Sequence, residues 1–168
     1  SLEYRYKDKF HFNLAVYYSD LKNVMVRRNG ISDGQDSILY DGILSQVQYI
    51  QNASSAYIYG FQTSLKYKLM KELVFSLNAN YQKGYETTGS SKQTLRHIAP
   101  FFGKAELNYQ LDNLKFSIFA MYNGEISNEE LAPSEKGKEH LYALDENGNP
   151  YSPEWYTLNI QSQYSLES

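Results

Sequence analysis

The sequence predicts an all-β protein, an antiparallel up-and-down meander of about seven long strands that forms part of a larger transmembrane β-barrel. Apolar and polar residues alternate through most of the 168-residue chain, which is the two-residue period of a strand with one apolar face. Short and long connections between these runs follow one another alternately along the chain. The chain also contains 17 tyrosines, and many of them lie at the ends of the alternating runs.

Seven alternating runs follow one another along the chain. In the first, Leu2, Tyr4 and Tyr6 share one face and Glu3 and Arg5 the other. The sixth run is the least regular, because it has two apolar residues on its polar face, and no comparable stretch repeats at helical spacing. The runs span residues 2–6, 10–19, 57–69, 73–82, 101–110, 114–123 and 156–164.

The connections divide into two kinds. Tight turns with matching apolar phase on both sides predict three hairpins, at Lys7-Asp8, Met70-Lys71 and Asp112-Asn113. Longer segments rich in Gly, Asn, Asp, Ser and Pro connect the hairpins, at residues 20–55, 84–99 and 125–154. Short turns therefore lie on one rim of the sheet and long loops on the other. Four residues of the first loop could extend the neighbouring strands, namely Val24, Val26, Val47 and Tyr49.

Composition excludes several classes of protein. A net charge of -3 and a pI near 5.6 argue against a nucleic-acid partner, which requires a basic face. The chain has no cysteine, so it has no disulfide scaffold and no thiolate metal cluster. No window holds 18 consecutive apolar residues, and the mean hydropathy of -0.59 would ordinarily indicate a soluble protein. A membrane β-barrel also has a low mean hydropathy, because its apolar residues occupy alternate positions.

The tyrosines favour a bilayer as the environment of the apolar face. The middles of the strands are aliphatic or small on this face, and the ends carry tyrosine. Such aromatic girdles place the phenol ring at the headgroup boundary with its hydroxyl in water. The tight-turn rim carries Tyr4, Tyr6, Tyr67, Tyr109 and Tyr164, and the long-loop rim carries Tyr18, Tyr57, Tyr59, Tyr81, Tyr122 and Tyr156. Alternation alone leaves a second interpretation open, a soluble antiparallel barrel or sandwich with tyrosines in its core.

Motifs for catalysis or metal binding are weak. Asp145, Asn147 and Asn149 have the spacing of a calcium loop, but Pro150 replaces the turn glycine, so we expect a β-turn instead. The histidines, His11, His97 and His140, are isolated in the sequence, and no metal site, cofactor or enzymatic activity is expected. Glu129-Glu130 is interpreted as part of a solvated loop. Asn52-Ala53-Ser54 matches a glycosylation acceptor, a short motif that carries little weight by itself.

Three stretches resemble segments of TonB-dependent outer-membrane receptors. Residues 52–62, NASSAYIYGFQ, resemble the entry of a strand into such a barrel, with an N-A-x-x-A-x-I-x-G-hydrophobic-E/Q pattern. Residues 95–103, LRHIAPFFG, resemble a loop-to-strand entry with a basic residue and a proline before the strand. Residues 153–160, PEWYTLNI, resemble a late strand. The three stretches occur in the order that the family has them and cover most of the chain after Asn52.

The resemblance implies a barrel of about 22 strands plugged by a separate domain, in the outer membrane of a Gram-negative bacterium. It implies energised uptake of a scarce nutrient, such as a siderophore, cobalamin, haem or a glycan. Residues 1–168 are then expected to be a partial barrel domain, without the plug and truncated before the final strand. The implied partners are membrane lipid, the plug, the TonB complex and a small-molecule or glycan substrate.

Seven strands are too few to close such a barrel, so we expect the isolated fragment to associate with itself. By analogy with the family, the aromatics Tyr142, Tyr151 and Trp155 of the long loops are candidates for an outer ligand vestibule. Two other functions remain open at this point: a soluble β-barrel that binds a hydrophobic ligand, and a surface adhesin or structural β-protein.

Overall fold

The computed structural model describes residues 1–52, 55–88 and 91–166. Ala53 and Ser54, which belong to the glycosylation acceptor and to the first family-like stretch, lie outside the described residues, as does Ser168, on which the truncation prediction depends. The strands in chain order are β1 (Leu2–Tyr6), β2 (Phe10–Lys22), β3 (Met25–Asn29), β4 (Ser37–Tyr40), β5 (Ile43–Gln46), β6 (Gln48–Asn52), β7 (Ser55–Lys68), β8 (Leu73–Thr88), β9 (Ser91–Thr94), β10 (Phe102–Leu111), β11 (Leu114–Asn123), β12 (Ala143–Leu144), β13 (Pro150–Tyr151) and β14 (Trp155–Tyr164). A short helix, α1 (Pro133–Lys136), and a 3-10 turn (Glu139–Leu141) precede β12, and among the described residues no helix is long and apolar enough to cross a membrane.

The main sheet is the predicted antiparallel meander. Its strands pair in the order β1-β2-β7-β8-β10-β11-β14, and β9 adds to the end of β8. The seven predicted runs are therefore neighbours in chain order. Lys7 and Asp112, in two of the predicted tight turns, have left-handed backbones with φ of 49° and 46°, as short hairpin turns require.

The register brings the apolar residues of all seven strands onto one face. Residues that pair directly across neighbouring strands point to the same side of a sheet. One row of such partners runs across the whole sheet through Tyr4, Phe12, Leu65, Leu77, Ala105, Ala120 and Leu158. The row beside it on the opposite face contains Glu3, Asn13, Ser64, Asn78, Lys104, Met121 and Thr157. We call these the outward and the inward face.

The outward face has no covering layer among the described residues. Val16 and Leu158 are each 70% exposed, and Ile160 is 68% exposed. The buried hydrophobic residues of the described chain are Val26, Ala56, Ala79, Leu131 and Ala132, which is far too little for the core of a sheet of this size. An apolar face this large is stable only against another apolar phase.

Aromatic rings lie at both ends of the outward face. At the long-loop rim the ring of Tyr57 stacks on Tyr18 and on Tyr59, with centroids 5.9 and 6.4 Å apart. At the tight-turn rim Phe10 contacts Tyr67 edge to face, with centroids 6.1 Å apart. The geometry is that of two girdles, and contact of these tyrosines with lipid stays a prediction.

The spacing of the girdles matches a bilayer. Tyr59 and Tyr67 are eight residues apart on β7, and Tyr156 and Tyr164 are eight residues apart on β14. When the register partners are followed from strand to strand, Tyr122 of β11 lies in the same row as Leu14 of β2. Leu14 is four residues from Tyr18, the girdle residue of its own strand. This stagger of about one residue per strand corresponds to a tilt of roughly 35°. Eight residues then span about 22 Å of depth, close to the apolar band of about 25 Å in membrane barrels.

The long loops contain more structure than the sequence predicted. Strand β8 continues past the predicted end at residue 82, where it remains paired with β7 on one side and pairs with β9 on the other. The first long loop is an extended hairpin, in which β3 pairs with β6 and β4 pairs with β5. Val26 and Tyr49 lie in β3 and β6 as expected, whereas Val24 and Val47 fall at breaks between strands.

Candidate ligand vestibule at the long-loop rim

Three segments meet above the inward face at the long-loop rim. They are the β3–β6 hairpin, the β8–β9 hairpin and the segment from Gly124 to Ser152 that contains α1. The β3–β6 hairpin continues β2 and β7 beyond Asn23, whose left-handed backbone (φ 56°) interrupts the ladder. The amide of Gln48 donates from Nε2 to the carbonyl oxygen of Ser134 at 3.3 Å, and this bond joins the first segment to the third.

A buried ion pair joins the two hairpins. Arg28 of β3 forms an ion pair with Glu86 of β8, whose side chain is 6% exposed. The same guanidinium donates from Nη1 to Oε1 of Gln93 on β9 at 2.8 Å. Glu86 points to the inward face, since its register partners are Ala56 and Gln93. Buried charges are stable only when they are paired and hydrogen-bonded, so this contact fixes the hairpins to one another.

Glu135 of α1 is the centre of a second cluster. Its side chain is 8% exposed and forms an ion pair with Arg96. Lys138 donates from Nζ to Oε1 at 3.1 Å, and the hydroxyl of Tyr142 donates to Oε2 at 2.9 Å. The cluster connects α1 to the segment that follows β9.

The protonation of Glu135 is controlled by these partners. Burial alone would raise the pKa of the Glu135 carboxyl, but the hydrogen bonds from Lys138 and Tyr142 and the charge of Arg96 outweigh it, so this pKa is lowered. The pKa of Tyr142 is raised by burial and by its bond to the carboxylate. Both groups therefore hold the charge states that the cluster needs at neutral pH.

We expect the loop cluster to loosen in acid. A carboxyl with a lowered folded pKa contributes stability that is present above its unfolded value and is lost as the pH falls through the folded value. The protection factors of backbone amides in residues 124–142, each the intrinsic exchange rate divided by the observed rate at the same pH, should therefore fall about tenfold or more once Glu135 is protonated. In the variant Glu135→Gln these protection factors should be low already at pH 7 and should change little on acidification. An unchanged acid profile in this variant would assign the effect to another carboxyl.

A cleft of about 590 Å³ opens between the three segments. Its walls combine the charged groups Arg28, Glu86 and Arg96 with apolar side chains such as Met25 and Ile50. This volume lies in the range of small-molecule sites, about 300–1,000 Å³, and the mixture of apolar walls with a few polar groups is typical of them. The cleft is the best candidate for a ligand site in the part of the chain that the structure describes.

The three aromatic residues predicted for the vestibule lie in three different places. Tyr142 belongs to the Glu135 cluster. Tyr151 lines a separate recess beside Asp145 and Asn128. Trp155 begins β14 and is 47% exposed at the rim. The three rings therefore do not form one site, and their contact with a ligand stays a prediction.

The predicted β-turn at Asp145 is confirmed. Asp145 Oδ1 accepts hydrogen bonds from the backbone N–H groups of Asn147 at 2.9 Å and Asn149 at 2.8 Å. Gly148 has a φ of 78°, and the turn joins β12 to β13. The carboxylate thus caps a hairpin turn, as aspartate commonly does.

Sequence reasoning missed the charged residues of the vestibule. The pair Arg27-Arg28 was too short to indicate a basic patch, and Arg28 and Glu86 are far apart in the chain. Glu130, interpreted as solvated, keeps 42% of its side chain exposed and forms an ion pair with Lys83. One signal was present: Pro133 followed by Glu135 is a helix start, with proline in the first turn and an acid shortly after it.

Comparisons with known proteins agree with this architecture. A family profile described as "TonB dependent receptor-like, beta-barrel" matches residues 1–167. A solved structure named "Copper transporter OprC" is similar, with a TM-score of 0.68 and 14% sequence identity. The similarity covers 98% of this chain and 22% of that one, and at this identity it shows the fold alone. No curated protein matches the sequence.

Proposed function

The chain belongs to the TonB-dependent receptor-like β-barrel family of the Gram-negative outer membrane, and from this premise we propose that it forms part of a transporter's wall and ligand vestibule. The transporter takes up a scarce nutrient, and residues 1–168 are a part of its barrel domain. The copper transporter is about four to five times longer than this chain, since the match covers 22% of it. The activity of a whole transporter is therefore proposed here and not carried over from it.

The observation that carries the proposal is the pair of opposite faces. The outward face is apolar between two rows of tyrosines, whereas the inward face carries amides, hydroxyls and charges. Inward side chains bond to one another across strands, for example Tyr17 to Gln82 at 3.1 Å and Ser117 to Asn108 at 2.6 Å. Such a surface suits a wet lumen. A soluble barrel would need a layer over the outward face, and no observation favours that alternative.

The cleft supports a ligand of the size of a small organic molecule. A volume of about 590 Å³ suits a metal chelate, a cobalamin fragment, haem or a short glycan better than a bare ion. We propose that Tyr142, Tyr151 and Trp155, which lie outside this cleft, contribute separate ligand contacts elsewhere at the long-loop rim, since aromatic rings bind both chelates and sugars through their faces. The implied partners are the ligand, the lipid, a plug domain and the TonB complex, and the isolated chain is expected to self-associate.

Uptake measurements test the proposal. Cells that produce the full transporter would be offered ferric siderophores, cobalamin, haem and oligosaccharides in turn, with and without a functional TonB complex. We expect TonB-dependent accumulation of one class, and a loss of roughly tenfold or more in apparent affinity when Arg28→Gln breaks the buried pair. The control Lys115→Gln removes a lysine from the inward face at the opposite rim and should leave uptake unchanged. Accumulation of every class without TonB would refute the transport proposal.

A nitroxide label tests the placement of the sheet independently. A label at Leu65, on the outward face, should collide with oxygen dissolved in lipid, and a label at Ser64, on the inward face, with a water-soluble reagent. Equal protection of both sites from lipid and from water would show a protein core and would exclude the barrel wall.

A further inference from the structure

The tip of the first long loop presents four bare apolar side chains. The hairpin of β4 and β5 pairs Leu39 with Leu44 and Tyr40 with Ile43. Register partners point to the same side of a sheet and successive residues point to opposite sides. The leucine pair therefore lies on one face of the hairpin and the tyrosine–isoleucine pair on the other. Each of the four residues is between 66% and 73% exposed, and we call them the apolar tip.

The apolar tip has a defined shape and a fixed base. Asp41 and Gly42 connect its two strands with φ of 48° and 79°, which is the backbone of a two-residue hairpin turn. Below the tip, the backbone N–H of Val47 donates to the carbonyl oxygen of Asp36 at 2.7 Å. Gln48 is bonded to the segment that contains α1. The first long loop therefore holds the tip on a base that is joined to the vestibule.

The exposure of the tip has a different cause from that of the outward face. Residues of the outward face lie between the two girdles, where lipid covers them in the proposed placement. Ile43 of the tip instead precedes the girdle residue Tyr57 by 14 residues, along β5, β6 and β7, and the long loops of membrane barrels are extracellular. Surfaces in water rarely expose contiguous apolar patches of more than a few hundred Å² unless a partner covers them, and the four tip residues expose roughly 500 Å².

Shape and charge indicate the kind of partner that covers the tip. The tip is convex, with apolar side chains on both faces, whereas sites for small molecules are concave. Residues 30–47 contain three aspartates, Asp33, Asp36 and Asp41, and no lysine, arginine or histidine. A second copy of the tip would bring like charges together, and so would a surface of anionic lipid. A protein groove with apolar walls and a rim of lysine and arginine is complementary to both the shape and the charge.

We propose that the apolar tip docks into an apolar groove, rimmed by lysine and arginine, of another protein at the cell surface. A standard interface takes about 800 Å² from each partner, and the four tip residues supply roughly 500 Å² of it. In the complex the leucine pair and the tyrosine–isoleucine pair contact opposite walls of the groove, since they lie on opposite faces. Their burial supplies the affinity, and the aspartates steer the encounter. The inference rests on the proposed placement of the long loops outside the cell.

Photo-crosslinking in cells that produce the full transporter identifies the partner. The probe is p-benzoylphenylalanine, placed at Tyr40 on one face of the tip and at Leu44 on the other. The control position is Leu141, a similarly exposed residue of the third long loop. We expect one cell-surface protein, identified by mass spectrometry, to be linked from both tip positions and not from Leu141. Links only to the transporter's own chain, to a second copy of it or to no protein would overturn the inference.

Titration of the purified partner against the full transporter in detergent then tests the apolar contact. We expect Leu39→Ser/Leu44→Ser to weaken binding about hundredfold, a factor of about ten for each leucine. The matched variant Leu141→Ser/Leu144→Ser removes two exposed leucines from the third long loop and should bind like the wild type. An equal loss in both variants, or a loss in neither, would contradict docking through the tip.

The aspartates are tested by their neutral counterpart. Asp33→Asn/Asp36→Asn/Asp41→Asn preserves the left-handed backbones of Asp33 and Asp41, since asparagine also adopts this conformation. We expect this variant to associate with the partner about tenfold more slowly than the wild type at low salt, and at nearly the same rate at high salt. Equal association rates at low salt would show that the groove has no basic rim and would overturn the inference.

The outcomes separate this inference from the proposed function, because neither the cross-linking nor the titration depends on transport. A label at Leu65 that lies in lipid, together with no partner at the tip, would overturn this inference and leave the proposed function standing. A tip partner that passes both titrations, on a protein without TonB-dependent uptake, would have the opposite result. If the label at Leu65 is not in lipid, the two fail together.

Discussion

Arginine in place of Leu77 is expected to destabilise the protein in a bilayer by about 2–4 kcal/mol. Leu77 lies in the middle of the outward row, four residues below the girdle residue Tyr81. An arginine at the midplane of a membrane barrel costs about 2–4 kcal/mol on the lipid face. Urea unfolding of the full protein from phospholipid vesicles, followed by the mobility shift of the folded barrel in gels, measures this loss directly.

The neighbouring residue provides the control. Asn78 points to the inward face and is exposed there, so Asn78→Arg adds the same side chain at nearly the same depth. We expect this variant to unfold at a urea concentration close to that of the wild type, because its guanidinium reaches water. If the two variants lose equal stability, the outward face is not in contact with lipid.

Valine in place of Gly60 is expected to destabilise the centre of the sheet by about 3 kcal/mol, the upper end of the usual cost of overpacking. A Cβ at Gly60 would lie 2.2 Å from the carbonyl oxygen of Tyr81 and 2.7 Å from the hydroxyl of Tyr17. The ring of Tyr17 crosses over Gly60 to donate a hydrogen bond to Gln82 at 3.1 Å, and the three residues are register partners. Any side chain at Gly60 must therefore displace both a backbone atom and this ring.

The control for this variant is Gly137→Val in the loop after α1. A Cβ at Gly137 would meet only the flexible end of the Gln46 side chain, and its φ of -82° is open to any residue. We expect a change of no more than about 0.5 kcal/mol in the free energy of unfolding. Equal folding yield and urea midpoint for the two valine variants would mean that Gly60 is not a site of close approach.

The main sheet was predictable from the sequence because side chains in a strand point alternately to its two faces, so apolar and polar residues alternate along the chain. The run from Leu73 to Tyr81 shows this period clearly, and a slip of one residue would invert its faces. Tight turns such as Asp112-Asn113 then fix the register of the strands that they join. Period and turn together therefore specify the order and pairing of the seven strands.

The contacts of the vestibule were not predictable, because no repeating pattern in the sequence accompanies them. Arg28 and Glu86 are 58 residues apart, and nothing in either neighbourhood indicates that they meet. The same holds for Arg96 and Glu135, whose approach depends on the course of two loops. The extra strands β3 to β6 follow local hairpin signals, and Asp41-Gly42 at their tip was a readable turn. Such contacts follow from tertiary packing and only become visible once the loops are placed.

Because neighbouring strands are staggered, residues that are register partners across the sheet lie at different depths in the membrane. Leu14 and Tyr156 lie in one continuous row of register partners across the sheet. Yet Tyr156 is itself a girdle residue, whereas Leu14 lies about 11 Å below the girdle of its own strand. The same charged substitution should therefore cost about 2–4 kcal/mol at Leu14 and about 0–1 kcal/mol at Tyr156. Residues at equal depth in the membrane therefore lie on diagonal lines across the sheet. The positions that tolerate a charged substitution should follow the same diagonals.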